Sequence, residues 1–362
     1  MRSQSESTLL RIPLEIRNQV LGYLITDQLH VILHKGALHW SICIEPELAF
    51  DLDGSERNLQ GQTHSEKTWA RRLRSSWGPH WRCEEFFQDR GRGKHTLDGA
   101  LELDYVCKQV YNEVHALMAS NTMFQITDLE TLCYASTSKD TGARQLSFLH
   151  DVGRRVIANL VRLDITLRLP LSVWESIESG TSMLASPQAV AWMGIGTAIG
   201  QLQRLTKLSI WLDHDQQCSW SAVNERCILA PLLPLAKILR LVLPKLHPDL
   251  ETSERHFTED SASPFQIRRV LRQRYHAQSN EHHDPRNDAS QDPPTKVIFK
   301  GDFPITLETC RFFYEPDFTS ASLEEIEEDE RDKWRRGVDV ELWMKNLQDQ
   351  LDDFSPHEYV DI

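Results

Sequence analysis

The chain has 362 residues, 40% of them hydrophobic and 26% charged, with seven cysteines and a formal net charge of −13. That length holds two or three domains, or one with long insertions, and the composition suits a globular chain with some solvated segments. No run approaches the roughly 18 apolar residues of a membrane span, and net negative charge repels nucleic-acid phosphates, so both membrane and general nucleic-acid roles are argued against.

The opening MRSQSESTLLRIP lacks the apolar centre of a secretory signal, so an intracellular location, cytoplasmic or nuclear, is expected. The cysteines (Cys43, Cys83, Cys107, Cys133, Cys218, Cys227 and Cys310) are odd in number, scattered, and form no Cys-x-x-Cys pair. This argues against a disulfide framework and a zinc ribbon, and reduced, mostly buried thiols are expected. Most of the acidity sits in the segment from Asp317 to Ile362, with 15 acidic against 5 basic residues.

In chain order, LLRIPLEIRNQVLGYLI carries Leu14, Ile16, Val20, Leu21, Leu24 and Ile25 at helical spacing. Pro13 suits the first helical position and Glu15 the positive end of the helix dipole, with Thr26 and Asp27 closing the helix. HVILH and LHWSICIE, separated by Lys35-Gly36-Ala37, read as a hairpin with Trp40, Ile42 and Ile44 on one face. Residues 45–99 lose periodicity and read as an insertion with a short helix from Glu66 to Arg74. LELDYVCKQVYNEVHALMAS is helical through Leu103, Val106, Val110, Val114 and Leu117, broken at Asn121, and MFQI is a strand.

The centre repeats a weak theme, with alternating triplets Leu163/Ile165/Leu167, Leu208/Ile210/Leu212 and Leu239/Leu241/Leu243 and a helical stretch from Val190 to Leu202. A leucine-rich-repeat-like stack and an ordinary parallel α/β sheet both produce that alternation. Glu251 to Thr295 is poor in apolar residues and reads as a solvated linker, with PFQIRRVLRQRYH as a basic helical turn or two inside it. KVIFKGDFPITLE is a strand candidate. A charged helix is expected from Leu323 to Gln350, with Ile326, Trp334, Val338, Leu342 and Leu347 as its docking stripe.

The fold class expected is α+β or α/β: a helical and β-hairpin module over 1–130 with its insertion, an irregular strand-helix region over 131–250, a flexible linker over 251–295, and a strand plus acidic helical tail over 296–362.

Leu10, Pro13, Glu15, Ile16, Val20, Leu21 and Leu24 of the opening string resemble the start of an F-box. LDYVCKQVYNEVHALMASNTMFQI, with Cys107, Tyr111 and Glu113, looks like the helix and strand of fungal F-box-like proteins. The resemblance implies that Pro13, Leu14, Ile16, Val20 and Leu24 offer a surface to a Skp-type adaptor within a cullin ubiquitin ligase, with the central region recruiting an unknown protein substrate. The alternative is a lineage-restricted scaffold, in which the same residues fill the chain's own core. An F-box places its second helical segment close behind the first; here a hairpin and the insertion intervene.

No catalytic constellation is expected. FDLDGSE mimics a phosphatase nucleophile motif through Asp51 and Asp53, but Glu45-Pro46-Glu47 stands where a buried strand is needed and a polar turn is favoured. His276, His282, His283 and Asp284 read as an incidental polar cluster, so no metal or other cofactor is assigned. Arg268, Arg269, Arg272 and Arg274 with Tyr275 form the clearest basic patch, read as a solvated helical face or as a contact for Glu324 to Glu330 of the tail.

Overall fold

Strands form where aliphatic residues alternate, because successive side chains of an extended chain point to opposite faces. In a computed structural model that describes residues 8–44, 75–89, 108–136, 156–180, 186–216, 218–258, 262–279, 295–306 and 322–353, each central triplet lies in such a strand. The strands are β1 (Gln28–His34), β2 (Ala37–Ile42), β3 (Met123–Ile126), β4 (Arg162–Leu169), β5 (Lys207–His214), β6 (Leu239–Pro244) and β7 (Gln266–Val270). They make one seven-stranded sheet in the order β2-β1-β3-β4-β5-β6-β7, parallel throughout except for the β1–β2 hairpin. From β3 onward each strand lies beside its successor in sequence, with no reversal of order. The hairpin turns on Lys35 and Gly36, both at positive φ (52° and 75°), the geometry whose twist matches two paired strands.

One sheet face is apolar. Leu29, Val31, Phe124, Ile126, Leu163, Ile165, Leu167, Leu208, Ile210, Leu212, Leu241 and Leu243 join a single core with residues from the helices α4 (Lys108–Asn121), α5 (Leu129–Ser136), α6 (Leu171–Ser179), α7 (Pro187–Met193) and α8 (Ile195–Gly200). Trp174 and Trp192 meet edge to face inside it, and the Trp192 indole N–H donates to the Ile228 carbonyl at 2.7 Å. The opposite face is polar: His30, Gln125, Asp164, Ser209, Arg240 and Gln266 stand level across six neighbouring strands.

Several expectations change. The opening helix is split into α1 (Thr8–Arg11) and α2 (Leu14–Gly22), with Pro13 at the N-cap rather than inside, because its ring prevents a continuous helix through Ile12. The Val190 to Leu202 stretch is two helices, α7 and α8, meeting at Gly194. The segment expected to be a linker holds β7 and also β8 (Gln273–Ser279), which pairs with β9 (Thr295–Gly301). PFQIRRVLRQRYH is therefore extended, not helical: the open edge of β6 offers a row of backbone partners, and Phe265 and Ile267 reach the core beside it. The acidic tail forms two helices, α9 (Leu323–Arg335) and α10 (Val340–Asp353), parted by Gly337 at φ 78°.

Trp40 packs on Phe124 and Ile42 against the same core, while Ile44 is exposed. The helix expected from Glu66 to Arg74, and Asp51 and Asp53, lie outside the described residues. A helix the periodicity missed, α3 (Trp81–Asp89), follows a 3-10 turn at Gly78–His80 and lies against the polar face of the sheet. There Gly78 abuts the Trp211 ring, and the Arg168 guanidinium donates to the Ser75 carbonyl at 2.9 Å.

Candidate functional site

Two arrangements on the N-terminal half have chemical consequences. The first is the face of α2. A helix turns about 100° per residue, so Arg17 and Leu21 share one face while Ile16, Val20 and Leu24 share the next. Arg17 and Leu21 are buried against α4. The Arg17 guanidinium grips the Glu113 carboxylate through two bonds, Nε–Oε2 at 2.6 Å and Nη2–Oε1 at 2.7 Å, and its third nitrogen donates to the carbonyls of Leu10 (3.1 Å) and Ile12 (2.9 Å). One side chain thus caps the end of α1 and ties α2 to α4 in the planar geometry that a guanidinium favours. Burial pushes the Glu113 carboxyl up, and the Arg17 bonds outweigh it, so its pKa falls below the ordinary value.

With Arg17 and Leu21 facing inward, the neighbouring stripe is left outside: Ile16, Val20 and Leu24 are 47%, 46% and 48% exposed. Leu14 is 48% exposed but lies on the far side of the Arg17–Leu21 seam, and Pro13 is exposed at the N-cap. Of the five residues expected to meet a partner, three therefore form one stripe, with Tyr23 exposed at its end.

The second arrangement is a cluster of His30 on β1, Cys43 just past β2, His80 at the end of the 3-10 turn and Cys83 in the first turn of α3, whose ligand atoms all lie within 4.8 Å of one another. Cys43 Sγ is 3.9 Å from Cys83 Sγ and 3.6 Å from His80 Nδ1, and Cys83 Sγ is 4.0 Å from the same nitrogen. His30, His80 and Cys83 are buried to 0% exposure. Trp77 covers the His30 ring at 5.0 Å, and the His80 ring stands edge-on to it at 4.8 Å. Burial lowers the pKa of the His30 imidazole from its ordinary value. The hydrogen bond to Cys43 outweighs burial and lowers the Cys83 thiol below its ordinary value.

Sequence reasoning passed this cluster over. Its only local trace is His80 and Cys83 one helical turn apart, a His-x-x-Cys pair that a search for Cys-x-x-Cys does not register. The other two donors are brought in by hairpin pairing, in which Cys43 N–H donates to the Gln28 carbonyl and so falls beside His30.

The basic patch is dispersed by its strands. Arg269 is bound to Glu225 (Nη2–Oε2 2.9 Å) on one side of β7, while Arg272, beyond its end, is sealed among Asp213, Asp302 and three carbonyls. Within the tail, Glu327 pairs with Lys245, and Glu330 accepts from Thr306 N–H at 2.8 Å. His282, His283 and Asp284 lie outside the described residues, as do the side-chain surroundings of His276, Arg274 and Tyr275. No helix of the described residues is long and apolar enough to cross a membrane.

A family model described as a domain of unknown function (DUF7730) matches residues 2–269. No curated protein and no solved structure matches the chain.

Proposed function

We infer that this chain, which belongs to the DUF7730 family, is a non-catalytic protein-interaction protein that presents α2 to a Skp-type adaptor and thereby serves as a substrate-recruiting subunit of a cullin-type ubiquitin ligase. The observation carrying this reading is the Ile16/Val20/Leu24 stripe, left nearly half exposed beside a seam that Arg17 and Leu21 bury. An apolar stripe at four-residue spacing is the surface that helix-mediated recognition uses. It coincides with the residues through which the opening string resembles an F-box.

Substrate capture is assigned to the polar sheet face. Sequential parallel strands with most helices on the apolar side, and α3 alone described against the strand-lined side, support a likeness to leucine-rich-repeat-like stacks, which bind partners on the strand-lined surface. The row from His30 to Gln266 grades from buried at β1 and β3 to exposed at Arg240 and Gln266, so its β6–β7 end is open to a partner.

A second reading, a scaffold with no ubiquitin connection, is favoured by one feature. β1 and β3 belong to the same sheet as β4, so among the described residues the opening module shares its core with the rest of the chain.

Purified full-length chain, offered to immobilised Skp-type adaptor, is expected to be retained. Completing the burial of each half-exposed side chain is worth about 1 kcal/mol. A charge at Val20 or Ile16 forfeits that and adds a desolvation cost, so Val20→Asp and Ile16→Asp are expected to weaken retention at least about tenfold with an unchanged melting temperature. No retention of the wild-type chain, or full retention of both variants, removes the adaptor role and leaves the scaffold.

A further inference from the structure

Buried imidazoles and thiols need partners, and the cluster beneath α3 lacks enough of them. Neither ring nitrogen of His30 nor Nε2 of His80 has a hydrogen-bond partner, although both rings are fully buried. Buried polar atoms are rarely left so, and several orphans around one point call for something at that point. A disulfide does not supply it: the two sulfurs stand 3.9 Å apart, about twice a bonded S–S distance, and both histidines would remain unserved.

A single ion would take up one of the two unpartnered nitrogens of His30 and join it to both sulfurs and to His80 Nδ1, the nitrogen beside them. Bonds of about 2.3 Å to sulfur and about 2.0 Å to imidazole nitrogen give a tetrahedron with edges of roughly 3.3–3.8 Å. The observed sulfur–sulfur separation of 3.9 Å and sulfur–nitrogen separation of 3.6 Å match those edges to a few tenths of an ångström, and the second sulfur–nitrogen separation, 4.0 Å, is longer by about half an ångström. A two-iron cluster divides two cysteines and two histidines between separate metal atoms, whereas here cysteine and histidine donors all lie within 4.8 Å of one another. We propose that His30, Cys43, His80 and Cys83 bind one zinc ion in a closed tetrahedral Cys2His2 site.

Four protein donors, three of them fully buried and Cys43 half-buried, complete a tetrahedral shell and leave no position for water or substrate, so the ion is structural and not catalytic. Its mechanical role follows from where the donors come from. His30 and Cys43 belong to the β1–β2 hairpin, whereas His80 and Cys83 belong to the segment 75–89 laid across the polar sheet face. The apolar contacts joining these parts are few, with Ile32, Trp77 and Cys83 as the buried members and Cys43 and Phe87 beside them. The ion fastens that segment to the sheet and fixes how much of the polar row is covered, independently of any adaptor on α2.

The test uses the full-length chain expressed with zinc in the medium and purified without chelator. Elemental analysis is expected to find about one zinc per chain, and cobalt exchanged into the site is expected to give the intense visible bands of a tetrahedral thiolate complex. Cys83→Ser and His30→Ala are expected to lower zinc affinity by at least about tenfold, while Cys218→Ser, outside the cluster, retains it. Chelation of the wild-type chain is expected to raise amide exchange in 78–89 and in β1–β2 while β4 to β6 keep their protection. Because the cobalt spectrum is read on the wild type, misfolding of a variant does not obscure the outcome. A wild-type chain that takes up neither zinc nor cobalt, zinc retained in full by Cys83→Ser, or a Cys43–Cys83 disulfide in the native chain overturns the proposal.

Discussion

Replacing Arg272 by methionine removes the hub that joins the end of β7 to β5 and β9. Its Nε donates to Asp213 Oδ1 at 2.6 Å, Nη1 to the Cys218 carbonyl at 2.7 Å and to Asp302 Oδ2 at 3.3 Å, and Nη2 to the carbonyls of His214 (3.0 Å) and Gln216 (2.7 Å). All three charged side chains are at most 5% exposed, so water does not replace the lost donors. Breaking one partner of a buried ion pair costs roughly 3–5 kcal/mol. Asp213 keeps Arg168 (3.0 Å) and the His214 N–H (2.8 Å), and Asp302 keeps the Trp220 N–H (3.0 Å), which points to the lower end of that range. Three carbonyls losing a donor push the other way, at about 1 kcal/mol each. A loss of about 4 kcal/mol is expected, read as the shift in urea midpoint at unchanged slope, with a melting temperature lower by about 10 °C. Lysine is expected to restore less than half, since one ammonium cannot span a fork of five acceptors. A loss below about 1 kcal/mol would refute the assignment of Arg272 as a structural hub and return it to the exposed basic patch.

Acid is expected to weaken the fold in two separate windows. Burial pushes the Asp213 carboxyl up, but Arg272 and Arg168 outweigh it and hold it at about 2, below the ordinary 3.8; its contribution is present above that ordinary value and lost as pH falls through about 2. Burial and the adjacent Arg272 lower His214 from 6.5 to about 4, so the unfolded chain gains a proton that the folded chain refuses, and stability drops by roughly 2–3 kcal/mol between pH 7 and 4. Urea titrations across that range on the wild type and His214→Gln check this, and equal pH slopes for the two proteins would contradict it. Gly78→Ala would place a methyl 2.5 Å from the Trp211 ring at a residue with φ 54°. It is expected to cost about 1–3 kcal/mol and to expose residues 75–89 to protease, and wild-type behaviour in both measurements would show that the segment does not depend on this contact.

Alternation of aliphatic residues was enough to identify β4, β5 and β6, because period-two burial is a property of the strand itself. The α2 stripe and the hairpin were legible for the same local reason, the latter marked by its glycine turn. What local pattern does not carry is partnership. Ile267 and Arg268 are strand residues only because β6 has an unpaired edge beside them, and Arg272 reads as surface charge until Asp213 and Asp302 surround it. The His30, Cys43, His80 and Cys83 donors are spread over three stretches of chain, and only hairpin register and the seating of α3 on the sheet bring them to one point. Periodicity reports which face of an element is buried; it holds no information on which distant residues meet there, since that depends on the order in which strands pair and on the backbone edges they leave open.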